Sequence, residues 1–221
     1  MNPTSINLNA DLGESFGAWR MGDDAALLQV IGSANIACGF HAGDPVVMRE
    51  TVRLALANGV SLGAHPAFPD LQGFGRRAMQ LSTQELEATI LYQVGALQAM
   101  AAAEGGRVTH VKPHGALNNI ACADAEVAAT VARAVRALDR ELILLAPALS
   151  ALEAAGEASG LRVGREVFAD RSYQADGQLT PRSPFRLRSV SPEGTAIESR
   201  KVARPEGVIL RRISFVVERL P

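Results

Sequence analysis

Short apolar runs alternate with longer stretches of helical periodicity along most of the chain. The apolar runs predict six strands, at residues 5–9, 35–40, 60–64, 108–112, 142–146 and 163–169. The periodic stretches predict helices at residues 23–31, 45–58, 82–104, 124–138 and 148–158. This alternation is typical of a parallel α/β fold, either a barrel or a doubly wound sheet. The chain lacks the G-x-G-x-x-G and G-x-x-x-x-G-K-[ST] fingerprints, which argues against the nucleotide-binding form of the doubly wound sheet.

Two of the predicted helices have well-marked beginnings. Asp44 is placed as the N-cap of the helix that starts at Pro45, and Gly59 follows its end. Ser82 and Glu85 have the spacing of a capping box at the start of the third long helix. These signals fix the ends of the loops in which functional residues are expected.

The last forty or so residues have a different character. Residues 183–221 carry 8 basic and 4 acidic side chains, whereas residues 1–182 carry 14 and 19. Only residues 207–217 have the pattern of a strand, and helical periodicity is weak throughout this segment. We therefore predict a barrel domain over residues 1–182 and a divergent or poorly ordered tail over residues 183–221, outside the barrel.

Composition excludes several classes of protein. The chain has 221 residues, of which 48% are hydrophobic and 20% charged, so it can form a sizeable core. A net charge of −1 argues against a broad electrostatic contact with nucleic acid or anionic lipid. Two cysteines are too few for a disulfide framework. No signal peptide and no membrane-spanning run of about 18 apolar residues is recognisable, so we expect a cytoplasmic protein.

Polar side chains with catalytic potential follow nearly every predicted strand. The carboxyl ends of parallel strands meet at one rim of a barrel, where active sites are built. Three of the four histidines in the chain fall at such ends, which is the strongest functional signal in the sequence. In strand order the candidates are Asp11, Glu14, His41, Asp44, His65, Lys112, His114 and Asp170.

Several of these residues also have a purely structural interpretation. Asp44 could be a helix cap and nothing more. His41, between Phe40 and Ala42, could be a core histidine. His110 lies inside a strand and is interpreted as structural. The neighbouring Arg76 and Arg77 are either a solvated pair or a clamp for a carboxylate or phosphate group.

The candidate rim residues suit two kinds of chemistry. Asp11, His41 and His65 could hold a divalent metal ion that activates water. The same groups could act directly as general acid and base, with Lys112 holding an anionic substrate. The spacing of the residues does not choose between these alternatives, and it matches no compact metal motif such as H-E-x-x-H.

Five ordered blocks of the sequence resemble the LamB/YcsF family. They are NADLGESFGAW (9–19), ANIACGFHAGDP (34–45), GAHPAFPDLQGFGRR (63–77), VKPHGALNN (111–119) and REVFADRSY (165–173). The resemblance implies a distorted (β/α) TIM-like barrel, related in shape to the glycoside hydrolase and polysaccharide deacetylase barrels. It also implies one component of 5-oxoprolinase, which opens 5-oxoproline (pyroglutamate) to L-glutamate with ATP as cosubstrate, together with partner subunits B and C.

The resemblance gives the rim residues provisional roles. Asp11, His41, His65, Lys112 and His114 are the expected catalytic residues. The expected substrate-binding residues are Glu14, Asp44, Arg76, Arg77 and Asp170. Three questions stay open at this point: which component binds ATP, whether a divalent metal is bound, and whether the chain forms a homo-oligomer.

The carboxyl-terminal part departs from the family pattern. Family members continue past the block that ends near Ser183 into a further helix, a strand and a Cys-Val-His-Gly-Asp motif, whereas this chain has no Cys after Cys122 and no His after His114. We interpret the tail as a change of reading frame or a divergent terminus, and expect a barrel that is incomplete at this end. Two other functions stay open, a stand-alone metal-dependent amidohydrolase or deacetylase and a truncated, non-catalytic chain that binds partners.

Overall fold

The computed structural model describes residues 7–168 and 213–216, which form a closed barrel. The strands are β1 (Asn7–Leu12), β2 (Ser33–Ala37), β3 (Ser61–His65), β4 (Val108–Val111), β5 (Ile143–Pro147), β6 (Arg162–Phe168) and β7 (Ile213–Val216). The helices are α1 (Asp24–Leu27), α2 (Pro45–Ala57), α3 (Thr83–Ala103), α4 (Gly115–Ala123), α5 (Ala125–Leu138) and α6 (Ala151–Ala158). The predicted TIM-like α/β barrel is therefore confirmed, and all six predicted strands are present with small shifts in their ends.

Strands β1 to β6 pair in chain order and are all parallel. In β1 and β2, Asp11 pairs with Asn35 and Leu12 with Ile36, so the ends of both strands stand side by side. Helices connect these strands and cover the outside of the sheet, as right-handed parallel crossovers require. The strand ends that carry the candidate residues consequently face the same rim.

Strand β7 lies antiparallel between β6 and β1 and closes the barrel. It pairs with β1 from Asn7 to Ala10 and with β6 from Glu166 to Phe168. We expected the whole of residues 183–221 to lie outside the barrel, and for residues 213–216 this expectation is wrong. Because the unpaired edges of β1 and β6 need hydrogen-bond partners, an apolar run late in the chain is used even though it runs the other way. The proposed division of the chain at residue 182 otherwise stays a prediction.

The core has two parts with different chemistry. Between the sheet and the helices lies a continuous apolar layer that includes Leu12, Ile36, Leu62, Leu144 and Leu152. Inside the barrel, the apolar residues Ile143 and Leu145 form a small separate cluster. Buried interior positions nearby are polar: Asn9, Asn35, His110, Lys112 and Glu166. Barrel interiors are usually filled by branched apolar side chains, so this polar interior indicates a functional role.

The predicted helix caps are confirmed. The Asp44 carboxylate accepts hydrogen bonds from the backbone N–H groups of Val46 and Val47, at 2.9 and 3.1 Å. Ser82 and Glu85 form both halves of the capping box at the start of α3. Helix α4 was not predicted. Its residues have a mixed pattern with two adjacent asparagines, but Leu117 and Cys122 pack into the core against the neighbouring helices.

No helix in the described part of the chain is long and apolar enough to span a bilayer.

Candidate active site

Three imidazole rings form a tight, buried cluster at the carboxyl ends of β2, β3 and β4. His41 and His114 stack with their ring centroids 3.8 Å apart and nearly parallel. His65 lies edge-on to both rings, at centroid distances of 5.5 and 4.8 Å. All three residues are at most 5% exposed. The prediction that the strand-end histidines meet at one rim is confirmed by this geometry.

Two backbone carbonyl groups fix which nitrogen atoms face each other in this cluster. His65 Nδ1 lies 2.6 Å from the Lys112 carbonyl oxygen, and His114 Nε2 lies 2.9 Å from that of Phe74. A carbonyl only accepts, so both of these ring nitrogens carry the proton and donate. The remaining nitrogens, His65 Nε2 and His114 Nδ1, are 3.0 Å apart and present lone pairs to each other when the rings are neutral. Such an arrangement requires a proton or a cation between the two atoms.

Two carboxylates border the imidazole cluster. Glu14 Oε1 lies 3.3 Å from His41 Nε2 and 3.9 Å from His114 Nδ1. Asp11 Oδ1 lies 3.4 Å from His65 Nε2. The Glu14 side chain is almost fully buried, whereas the Asp11 side chain is 21% exposed and is therefore the carboxylate that a substrate can reach.

Lys112 connects Asp11 to the polar interior of the barrel. Its ammonium group lies 2.7 Å from Glu166 Oε1, 3.2 Å from Asp11 Oδ1 and 3.3 Å from Asn9 Oδ1. These three acceptors, all from described residues, lie within reach of the ammonium group. The geometry therefore favours Lys112 as a residue that orients Asp11 over one that binds substrate directly.

The electrostatics of the site separate charged groups from neutral ones. Burial alone would raise the pKa of Asp11, but its interactions with His65 and Lys112 hold that pKa well below the usual range. Burial likewise opposes the charge on Lys112, yet Asp11 and Glu166 raise the pKa of this residue to about 12. Burial lowers the pKa of His114 to about 3 and that of His41 well below its ordinary value. The site thus combines an ionised aspartate and lysine with two imidazoles, those of His41 and His114, that are neutral at pH 7.

The loop after β3 covers the imidazole cluster. The Phe74 ring stands edge-on to His41 and His114, with centroid distances of 5.4 and 5.2 Å. Gly75 has a φ of +63°, and a Cβ atom at this position would lie 2.8 Å from His41 Cβ. Only glycine allows the loop to pass this close to the rings.

The two arginines of this loop have different surroundings. Arg77 donates from Nε to Asp70 Oδ1 at 2.8 Å, and Asp70 also accepts from the backbone N–H of Gly73. Arg76 instead lies over the Phe74 ring, 5.3 Å from its centroid, and this ring in turn contacts His41 and His114.

Two predicted site residues do not join the cluster. Both carboxylate oxygens of Asp44 accept backbone N–H groups, one from Val46 and Val47 and the other from Gly17 at 2.7 Å. The capping interpretation is therefore confirmed, and a substrate role for Asp44 stays a prediction. Asp170 lies outside the described residues.

Sequence reasoning missed Glu166 and Asn35 among the buried polar residues of the site, whereas it correctly placed His110 inside a strand. Glu166 contacts Lys112, and Asn35 Nδ2 donates to Asn9 Oδ1 at 2.7 Å and to Asp11 Oδ1 at 3.0 Å. His110 Nε2 in turn lies 3.2 Å from Asn35 Oδ1. A signal was present, because parallel strands are normally apolar on both faces and asparagine is rare inside them.

A divalent metal ion fits the donor set of this cluster. Glu14, His41, His65 and His114 each offer one ligand atom, and these atoms all lie within 4.8 Å of one another. Among the described residues, no group hydrogen-bonds to the buried His41 Nδ1. Glu14 places a carboxylate oxygen beside the ring nitrogens of His41 and His114, a combination of donors that favours a cation at this place. Imidazole nitrogens with one carboxylate are typical zinc ligands.

Known proteins resemble this chain both in sequence and in structure. Residues 6–204 match the LamB/YcsF family. A relative from Azoarcus sp. (strain BH72), named as the A subunit of 5-oxoprolinase, is 73% identical over 178 residues, which cover 80% of this chain and 70% of that protein. Another relative with this name, from Geobacillus kaustophilus (strain HTA426), is 59% identical over 179 residues, covering 81% and 70% of the two chains. The crystal structure of a lactam utilization protein from Thermus thermophilus superposes with a TM-score of 0.77 at 52% identity, covering 80% of this chain and 71% of that one.

Proposed function

The chain belongs to the LamB/YcsF family, and from this membership we propose that it is the A subunit of a 5-oxoprolinase, a hydrolase that opens the cyclic amide of 5-oxoproline to give L-glutamate. One observation of the site supports this proposal above the others. An ionised, partly exposed Asp11 lies beside a buried cluster of three imidazoles, which is the combination that amide hydrolysis needs.

The chemistry follows from the weakness of a lactam as an electrophile. In the proposed reaction, ATP phosphorylates the amide oxygen, and the ring carbon then becomes open to attack by water. Asp11 accepts the proton of that water, since its carboxylate is ionised and the more exposed of the two carboxylates at the cluster. Asp11 then returns this proton to the ring nitrogen as the C–N bond breaks, which leaves the acyl phosphate of glutamate. Attack of a second water molecule on the acyl phosphate releases L-glutamate and phosphate.

ATP and the partner subunits belong to this proposal. The sequence has no phosphate-binding loop of the G-x-x-x-x-G-K-[ST] type, so we propose that partner subunits B and C complete the nucleotide site. The relatives are named as one lettered component of an enzyme, which itself implies further subunits. The reaction needs ATP, and we place it in the cytoplasm.

The experiment that tests the function measures 5-oxoproline-dependent ATP hydrolysis by the purified chain, alone and mixed with cognate subunits B and C. Turnover only in the mixture is the expected result. His65→Ala should lower kcat by at least about 100-fold, because the ring touches both Asp11 and His114. Glu104→Gln, a change at the surface ion pair with Arg49 and Arg53, should leave kcat unchanged.

Other results of the same experiment would point elsewhere. Amide cleavage by the chain alone, without ATP or partners, would support a stand-alone metal-dependent amidohydrolase, which the Glu14 and histidine donor set favours as a second candidate. A folded chain that binds its partners without any turnover would contradict the proposal and support a non-catalytic role.

We further propose that Glu14, His41, His65 and His114 hold a divalent metal ion such as zinc. When bound, the ion would polarise the substrate oxygen and lower the pKa of water at the site. Isothermal titration of the metal-stripped protein with Zn²⁺ should show one site per chain. Glu14→Gln should weaken that site by at least about tenfold, with Glu104→Gln as the matched control. Equal affinity in both variants would exclude Glu14 as a ligand.

A further inference from the structure

Among the described residues, the polar contacts of the Asp11 side chain fall on one of its two oxygens. Oδ1 lies 3.0 Å from Asn35 Nδ2, 3.2 Å from Lys112 Nζ and 3.4 Å from His65 Nε2. Within the described part of the chain, no group lies at hydrogen-bonding distance from Oδ2. The side chain is 21% exposed, so Oδ2 is the oxygen that can meet substrate or water.

The hydrogen bond from Lys112 orients Asp11, but the same lysine can also pull Asp11 out of position. A buried ammonium paired with Asp11 alone would draw the carboxylate away from His65. Glu166 prevents such a one-to-one pair, because its Oε1 makes the shorter contact with Lys112, 2.7 Å against 3.2 Å for Asp11 Oδ1. Glu166 itself is 1% exposed, so it is buried with the lysine and out of reach of a substrate.

We propose that Glu166 is a positioning residue of the reaction, which pairs with Lys112 and so lets Asp11 keep its place beside His65. Within the described part of the chain, Lys112 contacts two carboxylates, those of Asp11 and Glu166, and removal of the Glu166 carboxylate leaves the contact with Asp11. This inference rests on the proposed role of Asp11 in hydrolysis. It gives a function to a strand residue that is buried beneath the exposed part of the site.

The first test is the variant Glu166→Gln, which keeps the size of the side chain and removes its charge. In the assembled enzyme, kcat should fall by about 10- to 100-fold while KM for 5-oxoproline changes less than about twofold, because only the orientation of Asp11 changes. Glu153→Gln is the matched control. Glu153 pairs with Arg165, the neighbour of Glu166 in β6, and should leave kcat as in the wild type.

A double variant separates positioning from simple packing. Lys112→Met leaves Glu166 buried without the lysine, so adding Glu166→Gln should restore part of the lost kcat. If Glu166 only fills space, the losses in kcat of the two single variants should instead add in the double variant. Additive losses, or a kcat for Glu166→Gln within about twofold of the wild type, would overturn the proposal.

A readout independent of turnover distinguishes failure of this inference from failure of the proposed function. If the wild-type assembly shows no 5-oxoproline-dependent ATP hydrolysis, the proposed function fails, and the crystal structure of Glu166→Gln still tests the inference. In that structure Asp11 should move toward Lys112 and away from His65 by about 0.5 Å or more. An Asp11 that stays in place beside His65 would overturn the inference.

Discussion

Adjacent residues of identical type have different environments in the loop after β3. Arg77 is held by Asp70, which is 5% exposed and also accepts the backbone N–H groups of Gly73 and Arg77. Arg76 lies over the Phe74 ring, which itself contacts His41 and His114. From the sequence the two arginines were interpreted together as a solvated pair or an anion clamp, and only the folded loop distinguishes them.

This difference predicts which arginine binds the carboxylate of 5-oxoproline. Arg76→Ala should raise KM for 5-oxoproline by about tenfold or more and change kcat less, because a guanidinium–carboxylate contact is present in both ground and transition states. Arg77→Ala should leave KM unchanged and lower the free energy of unfolding by about 1 kcal/mol through loss of the Asp70 contact. Steady-state kinetics and urea unfolding of both variants measure these effects, and equal KM values for the two would contradict the assignment.

At the scale of elements, closure of the barrel depends on one short strand distant in sequence from the rest. Strand β7 provides hydrogen-bond partners for β1 on one side and β6 on the other. Without it, both strands would present unpaired backbone groups at an open edge, which is a template for association.

Truncation tests the role of this strand. A chain that ends at Arg212 lacks β7 and should lose about 2 kcal/mol or more of stability, which lowers Tm by about 4–8 °C in a protein of this size. It should also self-associate in light scattering. A chain that ends at Val217 keeps the strand and is the control. If both truncated chains have the same Tm and remain monodisperse to the same degree, β7 does not close the barrel in solution.

The elements that the sequence predicted well are those with local signals. The long helices α2 and α3 begin where Asp44 and Ser82 place their caps, because a cap is formed by residues within three positions of each other. Helix α4 has no such signal. His114 stands at its N-cap position but makes no capping bond, since its imidazole belongs to the histidine cluster. Tertiary packing therefore decides this helix.

At the scale of the whole molecule, the barrel buries ionisable groups that most cores exclude. His110 is fully buried between Asn35 and Thr109, and burial lowers its pKa to about 3. His41 and His114 are buried as well, and their pKa values are also lowered. In the unfolded chain each of these histidines has its ordinary pKa of about 6.5.

Stability should therefore fall on acidification. Between about pH 6.5 and about pH 3 the unfolded chain binds a proton at His110 that the folded chain does not, so this contribution is complete above about pH 6.5 and decreases as the pH falls. The slope approaches about 1.4 kcal/mol per pH unit for one histidine. Urea unfolding of metal-stripped protein from about pH 7 to about pH 4.5 measures this slope. The variant His110→Asn should reduce the slope by the contribution of one histidine. An unchanged slope in this variant would show that His110 is protonated in the folded state.

The sequence by itself determined the alternation of strands and helices, the caps of α2 and α3, and the rim at which His41, His65 and His114 meet. These features follow from local chemistry and from the geometry of parallel strands, whose carboxyl ends share one edge. Only the tertiary structure decided the polar interior that joins Glu166, Lys112, Asn35 and Asp11, the separate roles of Arg76 and Arg77, and the closure by β7. Each of these depends on side chains or strands that the closing of the barrel brings together or on the path of a folded loop, and no pattern within one segment sets those distances.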